Sequence, residues 1–277
     1  MAVTNGWGQG VENNTIEWGK GKDNATNNWG KIYETSASGD TALEVSTVPF
    51  SNTKSVDFDG VDDYVNLGNP TALQFTSSFS ISLWFKSSDT SDYILISKDK
   101  TSGHATLERS WALWGNRYGG TNVLNFNVRS GSTSHYLPGT VDHNDGNWHH
   151  VVATFEASTA LKLYVDGSLE ATKTSPTPPS TINNVPTNAN IGRSTSGLYY
   201  ANAKIDEVGL FNGVLSASDV TAIYNSSNPL SLSSYSPVAW YRMGDGDTFP
   251  TLTDNGSGGN NGTMTNMVSG DIVTDTP

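Results

Sequence analysis

The chain has 277 residues, a formal net charge of -12 and no cysteine. Disulfides, thiolate metal sites and cysteine nucleophiles are therefore excluded, and the acidic excess disfavours phosphate backbones and anionic membranes as partners while leaving divalent cations open. Only 15% of residues are charged, against roughly 25% in an average domain; Ser, Thr, Asn and Gly fill the difference, a composition suited to short strands joined by turns.

Met1–Gly10 carries neither a basic nor an apolar signal-like stretch, and no apolar run approaches a membrane span. The expectation is a protein with no secretory signal and no membrane anchor. Trp7-Gly8, Trp18-Gly19 and Trp29-Gly30 recur every eleven residues. So few other apolar residues accompany them that the segment cannot bury much surface alone. Residues 1–50 are read as an extended arm whose Trp7, Trp18 and Trp29 dock into equivalent holes on neighbouring subunits or a larger assembly. Residues 34–54 form its polar linker.

The main domain is predicted over residues 51–230. Ser55–Phe58 and Tyr64–Leu67 flank a turn, Asp59-Gly60-Val61-Asp62-Asp63. Phe79–Lys86 alternates with a period of two, which a helix would not give. Tyr93–Ser97, Val123–Val128, Trp148–Phe155, Leu161–Val165 and Ala203–Phe211 read as further strands, and Asp166-Gly167 opens a hairpin into Ser168–Thr172. Pro176–Pro186 reads as a loop. One helix is predicted, with Ser216 as N-cap, Asp219 completing a capping box, and Val220, Ile223 and Tyr224 as its apolar stripe. Residues 231–277 are read as a C-terminal segment made of a strand over Val238–Met243 and an extended tail.

V-D-F-D-G-V-D-D-Y-V-N-L at 56–67, F-S-I-S-L-W-F at 79–85, W-H-H-V-V-A-T-F at 148–155, L-K-L-Y-V-D-G at 161–167, N-I-G at 190–192 and K-I-D-E-V-G-L-F at 204–211 follow one another in order. In these motifs the chain resembles laminin-G-like, concanavalin A-like jelly-roll modules over Ser55 to Asn225. The resemblance implies an all-β, two-sheet antiparallel jelly-roll sandwich, here with one short helix and the extended N-terminal arm. It also implies a face or rim that binds glycans or proteins. V-A-W-Y-R-M-G-D-G at 238–246 opens the domain in many members but follows it here. Either the C-terminus supplies a closing strand in permuted order or a second, incomplete module begins. The Trp-Gly arm resembles leaders of structural proteins of tailed phages, marine ones above all.

Asp57, Asp59, Asp62 and Asp63 crowd four carboxylates into seven residues, a donor set that suits calcium. By the resemblance, Asp62, Asp63 and Asp206 are the expected ligands. The Asp254–Gly262 loop reads as turns rather than as a cation site. His149 and His150 are adjacent on a strand and point to opposite faces, so they cannot chelate one metal. The sugar-binding candidates are Trp111, Trp114, Asn116, Arg117 and Tyr118, since a ring stacks on the apolar face of a pyranose and Asn and Arg supply hydrogen bonds; Tyr199 and Tyr200 are further loop aromatics. Retaining glycosidases need two carboxyls roughly 5 Å apart. The sequence offers only the adjacent Asp206-Glu207, and no nucleophile elbow, zincin helix or phosphate loop appears.

The sequence thus predicts no enzyme. It predicts a virion structural protein, a head or tail fibre or decoration subunit. Residues 1–50 join it to other virion proteins, and its lectin-like sandwich meets host-surface glycans. A symmetric homo-oligomer, such as a trimer, suits that role. The alternative is an extracellular, secreted or cell-surface bacterial adhesion module.

Overall fold

A strand buried on one face repeats apolar residues every second position, and the stretch Phe79–Lys86 does so through the middle of the sandwich. The computed structural model describes residues 50–100, 108–116 and 122–277. Its strands are, in chain order, β1 Ser55–Asp59, β2 Tyr64–Gly68, β3 Phe79–Lys86, β4 Tyr93–Asp99, β5 Arg109–Asn116, β6 Val123–Ser130, β7 Thr133–Asp142, β8 Trp148–Glu156, β9 Ala160–Val165, β10 Ser168–Lys173, β11 Ala189–Ile191, β12 Asn202–Phe211, β13 Ala239–Tyr241, β14 Thr251–Leu252, β15 Gly262–Thr265 and β16 Ile272–Val273. One sheet has the order β10-β9-β8-β3-β12-β1-β16, with β13 also paired to β12. The other runs β14-β15-β2-β11-β4-β5-β6-β7. Neighbouring strands pair antiparallel throughout, for example β3 with β8 and β12, and β5 with β4 and β6. The predicted all-β jelly-roll sandwich is the observed fold.

Phe79, Ile81, Leu83 and Phe85 of β3 face Trp111, Leu113, Leu124, Phe126 and Val128 of the other sheet in one buried core. Phe75 stacks on Phe79 with ring centroids 4.7 Å apart, and Phe155 lies 5.9 Å from the same ring. Burying each such side chain contributes about 1.5–3 kcal/mol. The opposite face of β3 carries Trp84, which α1 (Ala217–Tyr224) covers by stacking Tyr224 5.8 Å away. That helix begins with the predicted capping box between Ser216 and Asp219 and ends at Asn225, which has a left-handed backbone. The Asp166-Gly167 hairpin has positive φ at both residues, as a two-residue turn matched to strand twist requires.

β5 and β7 are the longest of the strands that escaped the sequence reading, with the short β11, β14, β15 and β16. Arg109–Asn116, whose Trp111 and Trp114 were expected in loops or at strand ends, is the strand β5. Trp111 and Leu113 face the core while Ala112 and Trp114 are buried on the other side, so no apolar-polar alternation marks it. β7 is an edge strand. Its Pro138 and Gly139 resemble turn residues, but proline is tolerated at an edge.

The C-terminal segment packs against both sheets. β13 pairs with Val208–Leu210, and β15 pairs with Tyr64–Asn66. Ala239, Tyr241 and Met243 enter the core. Residues 238–264 therefore complete this sandwich and do not begin a second one. At the end of the chain, Asp275 accepts hydrogen bonds from Lys86 and Trp148 at 2.9 and 3.0 Å. Trp7, Trp18 and Trp29 of the expected arm lie outside the described residues. Among the described residues, no helix is long and apolar enough to cross a membrane.

Candidate functional site

On the face of the second sheet turned away from the core, cross-strand pairing sets polar side chains in rows. Asn66, Asn190, Ser97, Ala112, Asn127 and Tyr136 are successive partners across β2, β11, β4, β5, β6 and β7. The next row places Ile94, Trp114, Asn125 and Pro138 side by side. Asn125 and Asn127 point outward because Leu124, Phe126 and Val128, which alternate with them, point into the core.

This polar floor is covered. Trp114 is 1% exposed and its Nε1 donates to Asn127 Oδ1 at 2.9 Å. Tyr199 packs edge-on against Trp114, ring centroids 5.0 Å apart. Asn127 reaches towards Asp99, which faces Arg109 at 3.7 Å. Asn125 is 1% exposed, yet its Oδ1 has no hydrogen-bond partner among the described residues. A buried amide oxygen left unpaired costs about 1–3 kcal/mol, and this one lies beside the Trp114 indole.

The predicted sugar-binding residues divide on this geometry. Trp111 is no stacking platform: it is fully buried in the core, 6.1 Å from Phe75 and 5.9 Å from Phe79. Trp114 is in the right region but lies closed beneath Tyr199. Asn116 is buried and its Nδ2 donates to Thr90 O at 2.7 Å, so it holds a loop and offers no donor to solvent. Arg117 and Tyr118 lie outside the described residues. Asn125 and Asn127 were missed; the polar member of the alternation in Val123–Ser130 was their signal.

The predicted cation ligands also divide. Asp62 and Asp63 meet Asp59, with one oxygen of each within 4.8 Å of the others. Asp206 is not in this group, because β12 carries it into the first sheet, paired with Trp84 of β3. The Asp59 carboxylate accepts from the Val61 and Asp62 N–H groups, which shapes the turn. Burial pushes the Asp63 carboxyl up to about 6; the Asp59 N–H works against this, while the charges of Asp59, Asp271 and Asp62 add to it. Three hard oxygen donors with unbalanced negative charge fit calcium.

Asp206 and Glu207 sit at a β-bulge where β12 exchanges β1 for β13 along one edge. Glu207 has φ 47. Asp206 accepts from Asn52 Nδ2 at 2.8 Å. Glu207 accepts from Trp240 Nε1 at 2.6 Å and from Arg242 Nε at 3.2 Å. Burial raises both carboxyls, Asp206 well above the usual range and Glu207 to about 7 against the opposing effects of Trp240 and Arg242. Both carboxylates are thus engaged inside the fold. On β8, His149 bonds Asp166 and Asp145 while His150 lies buried against Ser82, so the two imidazoles do point to opposite faces.

The family model of the concanavalin A-like lectin/glucanases superfamily matches residues 59–221, more than half of the chain. No curated protein matches it. Among solved structures the chain is similar to the native heptameric SAP-like pentraxin from Limulus polyphemus, at 12% identity and TM-score 0.45, over 65% of this chain and 84% of that one. It is similar to the binding domain of Paraclostridial Mosquitocidal Protein 1 at 16% identity and TM-score 0.44, over 71% of this chain and 50% of that one. It is also similar to the binding domain of Botulinum Neurotoxin DC in complex with SialylT, at 19% identity and TM-score 0.37, over 57% of this chain and 37% of that one. The chain spans half or less of these two toxin domains. With most of its strands inside the matched segment, the chain belongs to the concanavalin A-like lectin/glucanases superfamily.

Proposed function

We propose that residues 51–277 are a lectin-like module that binds a neutral glycan without cleaving it. The observation that carries this reading is the outer floor of the second sheet, where the unpaired Asn125 amide oxygen lies beside Trp114. A pyranose offers that floor what it lacks: hydroxyls for the amide and an apolar face for the indole. Binding rather than hydrolysis is supported by the state of Asp206 and Glu207. A retaining pair must reach the sugar, whereas these two are buried and held by Asn52, Trp240 and Arg242. The test is a glycan array with the full chain, Trp114→Ala and Asn125→Leu. Binding that both substitutions abolish supports the reading; no binding by the full chain overturns it.

Calcium belongs to the same proposal, with Asp59, Asp62 and Asp63 as the residues that would hold it. The melting temperature should rise with millimolar calcium relative to chelator, and Asp63→Asn should remove the rise. An unchanged melting temperature would dismiss the ion. The module's setting is proposed to be a virion, with the Trp-Gly arm joining it to other virion proteins as a symmetric oligomer. The eleven-residue recurrence of Trp7, Trp18 and Trp29 supports that role. Mass spectrometry of purified particles against culture supernatant tests it, and a chain found only in supernatant would favour the extracellular adhesion module.

A further inference from the structure

We infer that the segment Ser194–Tyr200 is a lid over the Trp114–Asn125 floor, and that the Tyr199 ring is the plug a sugar must displace. This rests on the glycan-binding reading and adds how access to the site is controlled. The segment leaves β11 through Gly192 and returns to β12 at Ala201, whose N–H donates to Gly192 O at 2.8 Å. Its two ends are thereby fixed as one narrow base. Between them the chain closes mainly on itself: Ser194 N donates to Leu198 O at 3.0 Å, Gly197 N to Ser194 O at 3.1 Å, and the Ser194 and Ser196 hydroxyls meet at 2.8 Å. A loop bonded to itself can move as a unit.

Two main-chain bonds fasten this unit to the sheet, and the Thr195 hydroxyl adds a donation to Asn188 O at 2.9 Å and a long 3.5 Å bond from Asn190 Nδ2. Ile94 N donates to Tyr199 O, and Thr195 N donates to Asp99 O, each at 3.0 Å. Tyr199 pays for its position with a left-handed backbone, φ 59, which costs a non-glycine residue on the order of 1 kcal/mol or more. Nearby Gly197 has φ 71 and Leu198 is 40% exposed. The contact that strain sustains is a single aromatic edge on Trp114, over a floor whose Asn125 oxygen stays unpaired. The closed arrangement is thus held by few bonds, carries strain, and leaves a buried acceptor unserved. Opening relieves the strain and uncovers Trp114, the cross-strand neighbour of Asn125, to a ligand.

Two measurements on the full chain test this. Native-state hydrogen exchange reads the lid without any sugar. The Ile94 and Thr195 amides should exchange at least tenfold faster than those of Phe126 and Val128 in β6, because they open with the lid and not with the sheet. Exchange of Ile94 at the rate of the β6 amides overturns the proposal. Calorimetric titration with lactose, maltotriose and cellotriose then reads the plug. Tyr199→Gly, which accepts the positive φ and removes the ring, should tighten whichever sugar binds by about tenfold, since apparent affinity scales with the open fraction. Tyr199→Phe should match the parent. Unchanged or weaker binding by Tyr199→Gly refutes the plug. If no variant binds a sugar although Ile94 exchanges early, the glycan reading fails and the lid stands.

Discussion

Neutralising Glu207 should stabilise the domain at alkaline pH, although it breaks an ion pair with Arg242. In the fold its carboxyl titrates near 7, against 4.5 for the free group, with burial as the main cause. An acid whose folded pKa is raised holds its proton more tightly in the native state than in the unfolded one. Stability is then greatest below about pH 4.5 and falls as pH rises towards 7. A rise of this size corresponds to a loss of about 3 kcal/mol once both states are ionised. Glu207→Gln removes that titration while its Oε1 still accepts from Trp240 Nε1. The variant should match the parent near pH 5 and exceed it by about 1–3 kcal/mol at pH 8, the lower end applying if Arg242 retains much of its pull. Urea unfolding followed by tryptophan fluorescence at the two pH values measures the difference. If the variant is less stable than the parent at pH 8 and equal at pH 5, the ion pair outweighs burial and the reasoning is wrong.

His149 should act with the same sign through a different cause. Its hydrogen bond to Asp166, with a further one to Asp145, raises its pKa above 6.5 despite burial. The stability it contributes is present below pH 6.5 and is lost as pH rises through the folded value, so His149→Gln should cost more at pH 6 than at pH 9 in the same unfolding assay. Gly192→Ala should destabilise by about 2–4 kcal/mol: the residue has φ +85, and a Cβ there would lie 2.6 Å from the Phe58 ring. A shift in thermal midpoint of less than a degree would contradict that. A chain ending at Ser236 should fail to fold, since it loses Ala239, Tyr241, Met243 and Leu252 from the core; circular dichroism showing a cooperative transition would count against it.

What could be read from the sequence was whatever repeats with the period of its structure. Phe79–Lys86 alternates because Phe79, Ile81, Leu83 and Phe85 enter the core while Ser80 and Ser82 turn the other way to bond Gly213 and His150, and its predicted bounds are the observed ones. The capping box at Ser216 and the Asp166-Gly167 turn are local chemistry, fixed by a few neighbouring residues, so they too were legible. β5 was not. Strand signals assume one wet face, and Trp111–Trp114 has none: Ala112 and Trp114 are buried under Tyr199 as completely as Trp111 and Leu113 are in the core. Reading the tryptophans there as exposed residues of loops or strand ends followed from that same assumption.

The same assumption explains why the candidate site was half visible. Exposed aromatics were sought, but the aromatic of interest is hidden, and its neighbours Asn125 and Asn127 were taken for the ordinary polar half of an alternating strand. Their significance lies in what surrounds them, Asn127 bonded to Trp114 and the Asn125 oxygen left unpaired, a property of three strands and a loop brought together from residues 94 to 199. The acidic loop shows the complementary case. Asp59, Asp62 and Asp63 lie within five residues of one another, so their clustering is local and was anticipated for two of the three. Asp206 was added by family resemblance, yet β12 places it beside Asn52, next to Glu207, which Trp240 and Arg242 hold. There it shares in a buried network where the closing strand meets β12. A motif carried over by resemblance keeps its place in the fold more faithfully than its partners. The side-chain partner of Asp206 is Asn52, ahead of β1, and those of its neighbour Glu207, Trp240 and Arg242, come from the chain's C-terminal segment, far from the acidic turn in sequence.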